Sequence, residues 1–152
     1  MSIEKDIQQT KFRNEYQKTT VNIIYTYNWI TEKTREIFEK GDITMQQYNI
    51  LRILRGAGKP LSTLQIRQRM LDKMSDTSRI VDRLVKKELV QKVICKTDRR
   101  LVDVTISDTG LLVLDKLDGY NDELDALLGN LSEEEAVMLN HLLDKIRSVE
   151  IA

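Results

Sequence analysis

The run Ser75-Asp76-Thr77-Ser78-Arg79 is followed at helical spacing by Arg83, Lys86 and Lys87. These residues supply hydrogen-bond recognition rather than bond-making chemistry. Short hydroxyl and carboxylate groups can read the edges of base pairs, and the Arg79 guanidinium matches the paired O6 and N7 acceptors of guanine. Arg83, Lys86 and Lys87 lie farther along and suit phosphate oxygens, which set register and affinity without carrying sequence information. A second cluster, Lys96-Thr97-Asp98-Arg99-Arg100, is charged throughout apart from its threonine. Asp98 and Arg100 are two apart, so in extended backbone they project to one side, where the carboxylate can hold the guanidinium. An arginine aimed in this way suits the narrow, negative minor groove of A·T-rich duplex. The residues expected to meet double-stranded DNA are therefore Ser75, Asp76, Thr77, Ser78, Arg79, Arg83, Lys86, Lys96, Asp98, Arg99 and Arg100. Five of these also have a plainer reading: Ser75 as a helix N-cap, Arg79 and Arg83 as a solvated face, Asp98 and Arg100 as a surface ion pair worth under about 1 kcal/mol.

The charge distribution favours the DNA reading. The 152 residues carry 24 Lys/Arg and 24 Asp/Glu, yet the balance is uneven along the chain. Residues 1–51 hold seven of each. Residues 52–100 hold fourteen basic against five acidic, and residues 101–152 hold three against twelve. A basic middle third raises the local concentration of a polyanion even in a neutral molecule. The acidic C-terminal third is expected to point away from that polyanion.

Other chemistries lack the residues they need. The single histidine, His141, sits among Leu139, Leu142 and Leu143, and Gly56-Ala57-Gly58 lacks the third glycine and the strand-helix setting of a nucleotide loop. No catalytic residue, cofactor or metal is expected, and the chain is not read as an enzyme. One cysteine, Cys95, rules out an internal disulfide, and Met1 is followed by Glu4, Lys5 and Asp6 rather than an apolar leader. No apolar run approaches the roughly 20 residues that span a bilayer. A cytoplasmic setting with no membrane partner is the expectation.

The elements that must position these residues are legible from spacing. Phe12, Tyr16, Ile23, Tyr27, Ile30 and Ile37 recur at intervals of three, four or seven, which predicts one long helix over about 7–40, closed by Gly41 in a left-handed conformation. Its apolar surface exceeds what the chain's own core requires and suggests a dimer; Tyr16, Tyr25, Tyr27 and Trp29 are also candidates to line a ligand cleft. Three later starts pair a hydroxyl residue with Gln or Glu three positions on: Thr44 with Gln47, Ser62 with Gln65, and Ser132 with Glu135. Helices are predicted from Thr44 to about Arg55 and from Ser62 to about Leu71. Another is predicted from Ser75 to about Lys87, with Asp72-Lys73-Met74 as the turn before it.

Beyond Leu89 the period shortens. Val90 to Cys95 is rich in β-branched residues, and Val102, Val104 and Ile106 alternate with Leu101, Asp103 and Thr105, which predicts a hairpin with the charged cluster at its tip. Ser107 caps a Leu-rich helix expected to pass Gly119 and reach Leu128, and a last helix follows Ser132. The fold class is mainly α with a small β-hairpin wing: a winged helix-turn-helix over about 44–107, between dimerisation helices at about 7–40 and 108–149, in one domain spanning 1–152.

The stretch Leu61–Gly110 resembles the DNA-binding core of the MarR (multiple antibiotic resistance regulator) family. The resemblance is carried by Leu64, Ile66, Ser78, Arg79, Val81, Leu84, Leu89-Val90, Asp98-Arg99-Arg100, Val104, Ile106-Ser107 and Thr109-Gly110. It implies a homodimer that binds a pseudo-palindromic operator as a repressor and is relieved by a small aromatic or phenolic ligand. Arg100 would then be the wing arginine, Asp98 its brace, and Asp76–Lys87 the recognition helix. Glu88 departs from the pattern, standing where the family usually has glycine; the turn there must be left-handed at a side-chain penalty or differently shaped. Some family members are switched by thiol oxidation, and Cys95 beside Lys96 is the one thiol open to that role. The alternatives to a DNA-binding repressor are thus a redox-sensing regulator using Cys95 and a winged-helix protein-interaction module. An interaction module would carry a neutral or acidic recognition helix and wing, the reverse of what stands here.

Overall fold

A computed structural model describes residues 1–94, 96–98 and 102–149. Residues 1–119 form one compact unit, and a second begins at Tyr120. In the first, the order is α1 (Ile3–Asp6), α2 (Glu15–Glu39), α3 (Met45–Ala57), β1 (Leu61–Ser62), α4 (Thr63–Arg69), α5 (Thr77–Lys86), β2 (Val90–Ile94), β3 (Val102–Ile106) and α6 (Asp108–Asp118). The second holds α7 (Asn121–Ala126) and α8 (Glu133–Arg147).

All three expected capping boxes form. Thr44, Ser62 and Ser132 each accept from the backbone N–H three residues on, and the Gln47, Gln65 and Glu135 side chains reach back to the cap N–H. These pairs satisfy amides that a helix start leaves without partners. Gly58, left-handed at φ 62°, closes α3.

The helix expected over 7–40 is interrupted. Its first part is the short α1, and α2 begins only at Glu15, because the Asn14 side chain accepts from Gln17 N at 2.8 Å and caps there. Arg13 N donates back to Gln17 Oε1, so a capping pair overrides the apolar period that runs through Phe12. The exit differs too. Asp42, not Gly41, takes the left-handed conformation at φ 54°. Gly41 is small for a packing reason, since a Cβ there would lie 3.1 Å from Leu117 Cδ1 and 3.3 Å from Val113 Cγ1. The Leu-rich helix from Ser107 stops at Asp118 instead of passing Gly119.

α3 is the centre of the first unit, touching α2, α4, α5, α6 and β3. Its Ile50, Leu51 and Leu54 are buried with Leu61, Ile66, Val81, Leu84, Val90, Val104, Leu114 and Leu117. Fully burying one such side chain is worth about 1.5–3 kcal/mol. Arg55 on α3 makes a bidentate contact with Asp118 on α6, at 2.8 and 3.3 Å. That hydrogen-bonded carboxylate raises the Arg55 pKa further above its ordinary value.

The sheet is antiparallel in the order β1-β3-β2. The expected hairpin pairs Val90 with Ile106 through Ile94 with Val102. β1 adds a third strand, Leu61 opposite Val104 and Ser62 opposite Asp103. Among the described residues no helix is long and apolar enough to cross a membrane.

Candidate nucleic-acid interface

The recognition-helix candidate, α5, divides cleanly into two stripes. Thr77, Ile80, Val81 and Leu84 are buried, at the i, i+3, i+4, i+7 spacing of one face. Arg79, Arg83 and Lys86 share the opposite face and are exposed, and their side chains make no hydrogen bond or ion pair among the described residues. Asp82, on the flank, is neutralised by Lys92 Nζ of β2 at 2.5 Å. This ion pair ties the helix to the hairpin.

Two residues expected at the helix start behave differently from the sequence reading. The cap is Asp76, whose carboxylate accepts from Arg79 N at 3.2 Å, and not Ser75. Ser75 Oγ instead donates to the Asp72 carbonyl at 2.7 Å, and the turn spans residues 70–76 rather than 72–74. The turn is stapled further by Met74 N on the Asp72 carboxylate and by Leu71 N on Asn49 Oδ1 of α3. Thr77 corrects the expectation that it faces a partner. It is 3% exposed, and its hydroxyl has no hydrogen-bond partner among the described residues. With Asp76 as the cap, Thr77 is the first helical residue, and its spacing of three, four and seven to Ile80, Val81 and Leu84 puts it on their buried stripe. Asp76, Ser78 and Arg79 remain exposed at the mouth of the helix, with Ser75 half-buried behind them.

Lys87, expected to suit a phosphate, has hydrogen-bond partners within the chain. Its ammonium donates to the backbone carbonyl of Asp42 and lies 3.4 Å from Gln47 Oε1. It is a tie between the end of α5 and the α2–α3 turn.

The residue after it resolves the question posed by the missing glycine. Glu88 is left-handed at φ 62°. Glu88 N donates to the Val85 carbonyl at 2.9 Å and Leu89 N to the Leu84 carbonyl at 3.0 Å, the paired bonds of a Schellman closure, with buried Leu84 and Leu89 as its apolar contact. The turn has the geometry a glycine would adopt, with Glu88 bearing a left-handed cost of about 1–2 kcal/mol. Ser107 Oγ then donates to the Glu88 carbonyl at 2.7 Å, and Ser107 N to the Leu89 carbonyl at 3.0 Å, so α6 starts against the end of α5.

At the hairpin, Lys96 is exposed and Asp98 half-buried. Arg99, Arg100 and Cys95 lie outside the described residues, and with them the Asp98–Arg100 brace and any role of the thiol.

Away from this face, a cleft of about 450 Å³ opens between α2 and the start of α3, lined by Tyr27, Thr31, Arg35, Phe38, Ile43 and Met45 among others. Phe38 stacks on Tyr48 at 4.4 Å between ring centroids. Of the four α2 aromatics considered for a cleft, Tyr27 is the one that lines it. Phe38, Arg35 and Ile43 were not singled out, because their convergence depends on the α2–α3 turn. No cluster of metal-ligating side chains occurs among the described residues.

A profile of the MarR family matches residues 43–102. The HTH-type transcriptional repressor MdtR of Bacillus subtilis (strain 168) is 30% identical over 112 residues, which is 73% of this chain and 72% of MdtR. The HTH-type transcriptional regulator MhqR of the same organism is 28% identical over 122 residues, 79% of this chain and 83% of MhqR. Among solved structures, a mutant MarR from E. coli complexed with operator DNA superposes with a TM-score of 0.81 at 23% identity, covering 90% of this chain and 99% of that one. The organohalide-sensing regulator RdhR-CbdbA1625, in its 2,4-dichlorophenol-bound form, gives 0.80 at 20% identity over 91% and 85% of the two chains. With its buried and basic stripes on α5, its hairpin wing and these relatives together, the chain belongs to the MarR family of winged helix-turn-helix transcription regulators.

Proposed function

We propose that this chain is a homodimeric repressor that binds a pseudo-palindromic operator, with α5 in the major groove and the hairpin tip in the adjacent minor groove. The observation that carries the reading is the stripe of Arg79, Arg83 and Lys86, three exposed cations with no hydrogen-bond or ion-pair partner among the described residues, set opposite the buried stripe that fixes the helix. Asp76, Ser78 and Arg79 sit at the helix mouth to meet base edges, while Arg83 and Lys86 hold phosphates. Lys96, Arg99 and Arg100 supply the wing, with Arg100 entering the minor groove. The operator-bound MarR of similar fold supports this docking.

Self-association follows from apolar surface. Tyr16, Ile24 and Tyr27 of α2 are exposed, and α8 buries none of its residues, leaving Val137, Met138, Leu139, Leu142 and Ile146 in water. A two-fold dimer matches a pseudo-palindromic site, each subunit reading one half. The cleft at Tyr27, Phe38 and Ile43, with Arg35 at its wall, has the size and mixed polarity of a small-molecule site. It is assigned to a small aromatic or phenolic effector, a reading supported by the dichlorophenol-bound fold relative.

Selection from a random duplex pool tests this function. The expected product is an inverted repeat whose half-sites lie about one helical turn apart. A pool that enriches no common motif, or only an undivided single half-site, contradicts it.

A further inference from the structure

α5 and its C-terminal cap carry four cations, Arg79, Arg83, Lys86 and Lys87, and the last of them is already engaged. Lys87 is the C-terminal cap of the helix, its own N–H donating to the Arg83 carbonyl. Its ammonium donates to the Asp42 backbone carbonyl, lies 3.4 Å from Gln47 Oε1, and stands 4.0 Å from the Asp42 carboxylate. Asp42 occupies the left-handed corner between α2 and α3. Gln47 is 5% exposed, and its Oε1 also accepts from Thr44 N in the capping box of α3. On the other side of Lys87, the Schellman closure at Glu88 fixes the backbone from which the side chain departs.

We infer that Lys87 is a positioning residue for DNA recognition: its exposed ammonium is held by hydrogen bonds to the α2–α3 turn, tying the end of the recognition helix there, and makes no phosphate contact. This rests on the proposed docking of α5 in the major groove. Two of the three ammonium hydrogens go to acceptors of the protein, the Asp42 carbonyl and Gln47 Oε1, and these charge-assisted bonds hold the side chain toward the α2–α3 turn. A helix held at its far end keeps its mouth, at Asp76, Ser78 and Arg79, aimed at base edges. Losing the tie therefore costs specific binding more than general binding.

Salt dependence separates the two roles, because each phosphate contact adds about 0.9 to the magnitude of the log–log slope. Fluorescence anisotropy would compare the wild type, Lys87→Met, Lys87→Arg and Lys86→Met on a duplex selected by the wild type and on a random duplex of equal length. For Lys87→Met, the slope should match the wild type. Affinity for the selected duplex should fall by about tenfold, the loss of roughly one base contact, with random-duplex binding nearly unchanged. Lys87→Arg, which keeps donors of sufficient reach, should recover most of that loss. Lys86→Met should lower the slope by about one. A thermal melt confirms that each variant is folded, and Lys87→Gln serves as a second, more polar replacement if the methionine variant is not. A slope reduced by one in Lys87→Met, equal losses on both duplexes, or no change on either would each overturn the inference. If the wild type itself shows no salt-dependent binding, the proposed function fails first, and that outcome is distinct from all three.

Discussion

The Ser107 hydroxyl donates to the Glu88 carbonyl at 2.7 Å while accepting from Gly110 N at 3.0 Å. One side chain thus caps α6 and holds the left-handed exit of α5, fixing where the recognition helix stops, where the wing starts and where the next helix begins. Ser107→Ala removes both bonds and leaves the Glu88 carbonyl without its hydroxyl donor. A loss of about 1–2 kcal/mol in urea unfolding is expected, at the upper end for a helix cap. An unchanged midpoint would remove Ser107 from this role.

Gly110 completes the junction. A Cβ there would lie 2.3 Å from the Leu89 carbonyl oxygen and 2.8 Å from Ile106 Cγ1. The first of these contacts is backbone, which cannot swing aside. Gly110→Ala should therefore destabilise by about 1–3 kcal/mol or more, although alanine is the better helix former. A stabilised variant in the same assay would show that the junction is looser than this geometry.

Glu88→Gly runs the other way. Relief of a left-handed cost of about 1–2 kcal/mol is partly offset by the extra freedom glycine gives the unfolded chain, about 0.4–1 kcal/mol. The net expectation is a gain of about 0.5–1 kcal/mol with DNA affinity preserved, because the closure already has glycine-like geometry. Calorimetry on the two proteins checks the sign.

Glu4 and Lys18 join α1 to α2, and the hydrogen-bonded ammonium holds the Glu4 carboxyl below its ordinary value, while Lys18 is raised above its own. A carboxyl depressed on folding adds stability above its unfolded pKa, and that contribution is lost as pH falls through the folded value. The Lys18 part is lost only as pH rises past its raised value. Amide protection of α1 should hold near neutrality, weaken on acidification below the ordinary carboxyl range, and lose that acid step in Glu4→Gln. An acid step that survives in Glu4→Gln would place the titrating group elsewhere.

Legibility followed the range of the interaction. The capping boxes at Thr44, Ser62 and Ser132 need only residues three apart, and the hairpin needs only alternation, so spacing sufficed for both. The exposed cations Arg79, Arg83 and Lys86 were readable for the same reason, since one helical period puts them on one face. What escaped depends on packing across distance. Thr77 is an exception, legible from its spacing of three, four and seven to the buried Ile80, Val81 and Leu84. Lys87 is captured by Asp42, 45 residues away, and the two-residue β1 is defined only by its partner strand. The break before Glu15 was local and could have been seen: Asn14 and Gln17 form the same kind of capping pair recognised at the other three starts, at a point where a continuous apolar period masked it.

The arginine at the wing is tested by Arg100→Ala. If it enters the minor groove, affinity for the selected duplex should fall by about 1–3 kcal/mol. An unchanged titration would leave the recognition helix as the sole reader.

The central claim, that the basic face of this regulator binds duplex DNA, is tested most directly by the salt dependence of binding to a random duplex. Arg79, Arg83, Lys86 and the wing predict a log–log slope of magnitude about 3 or more for each bound subunit. Binding that does not change with salt, or no binding at low salt, would contradict it.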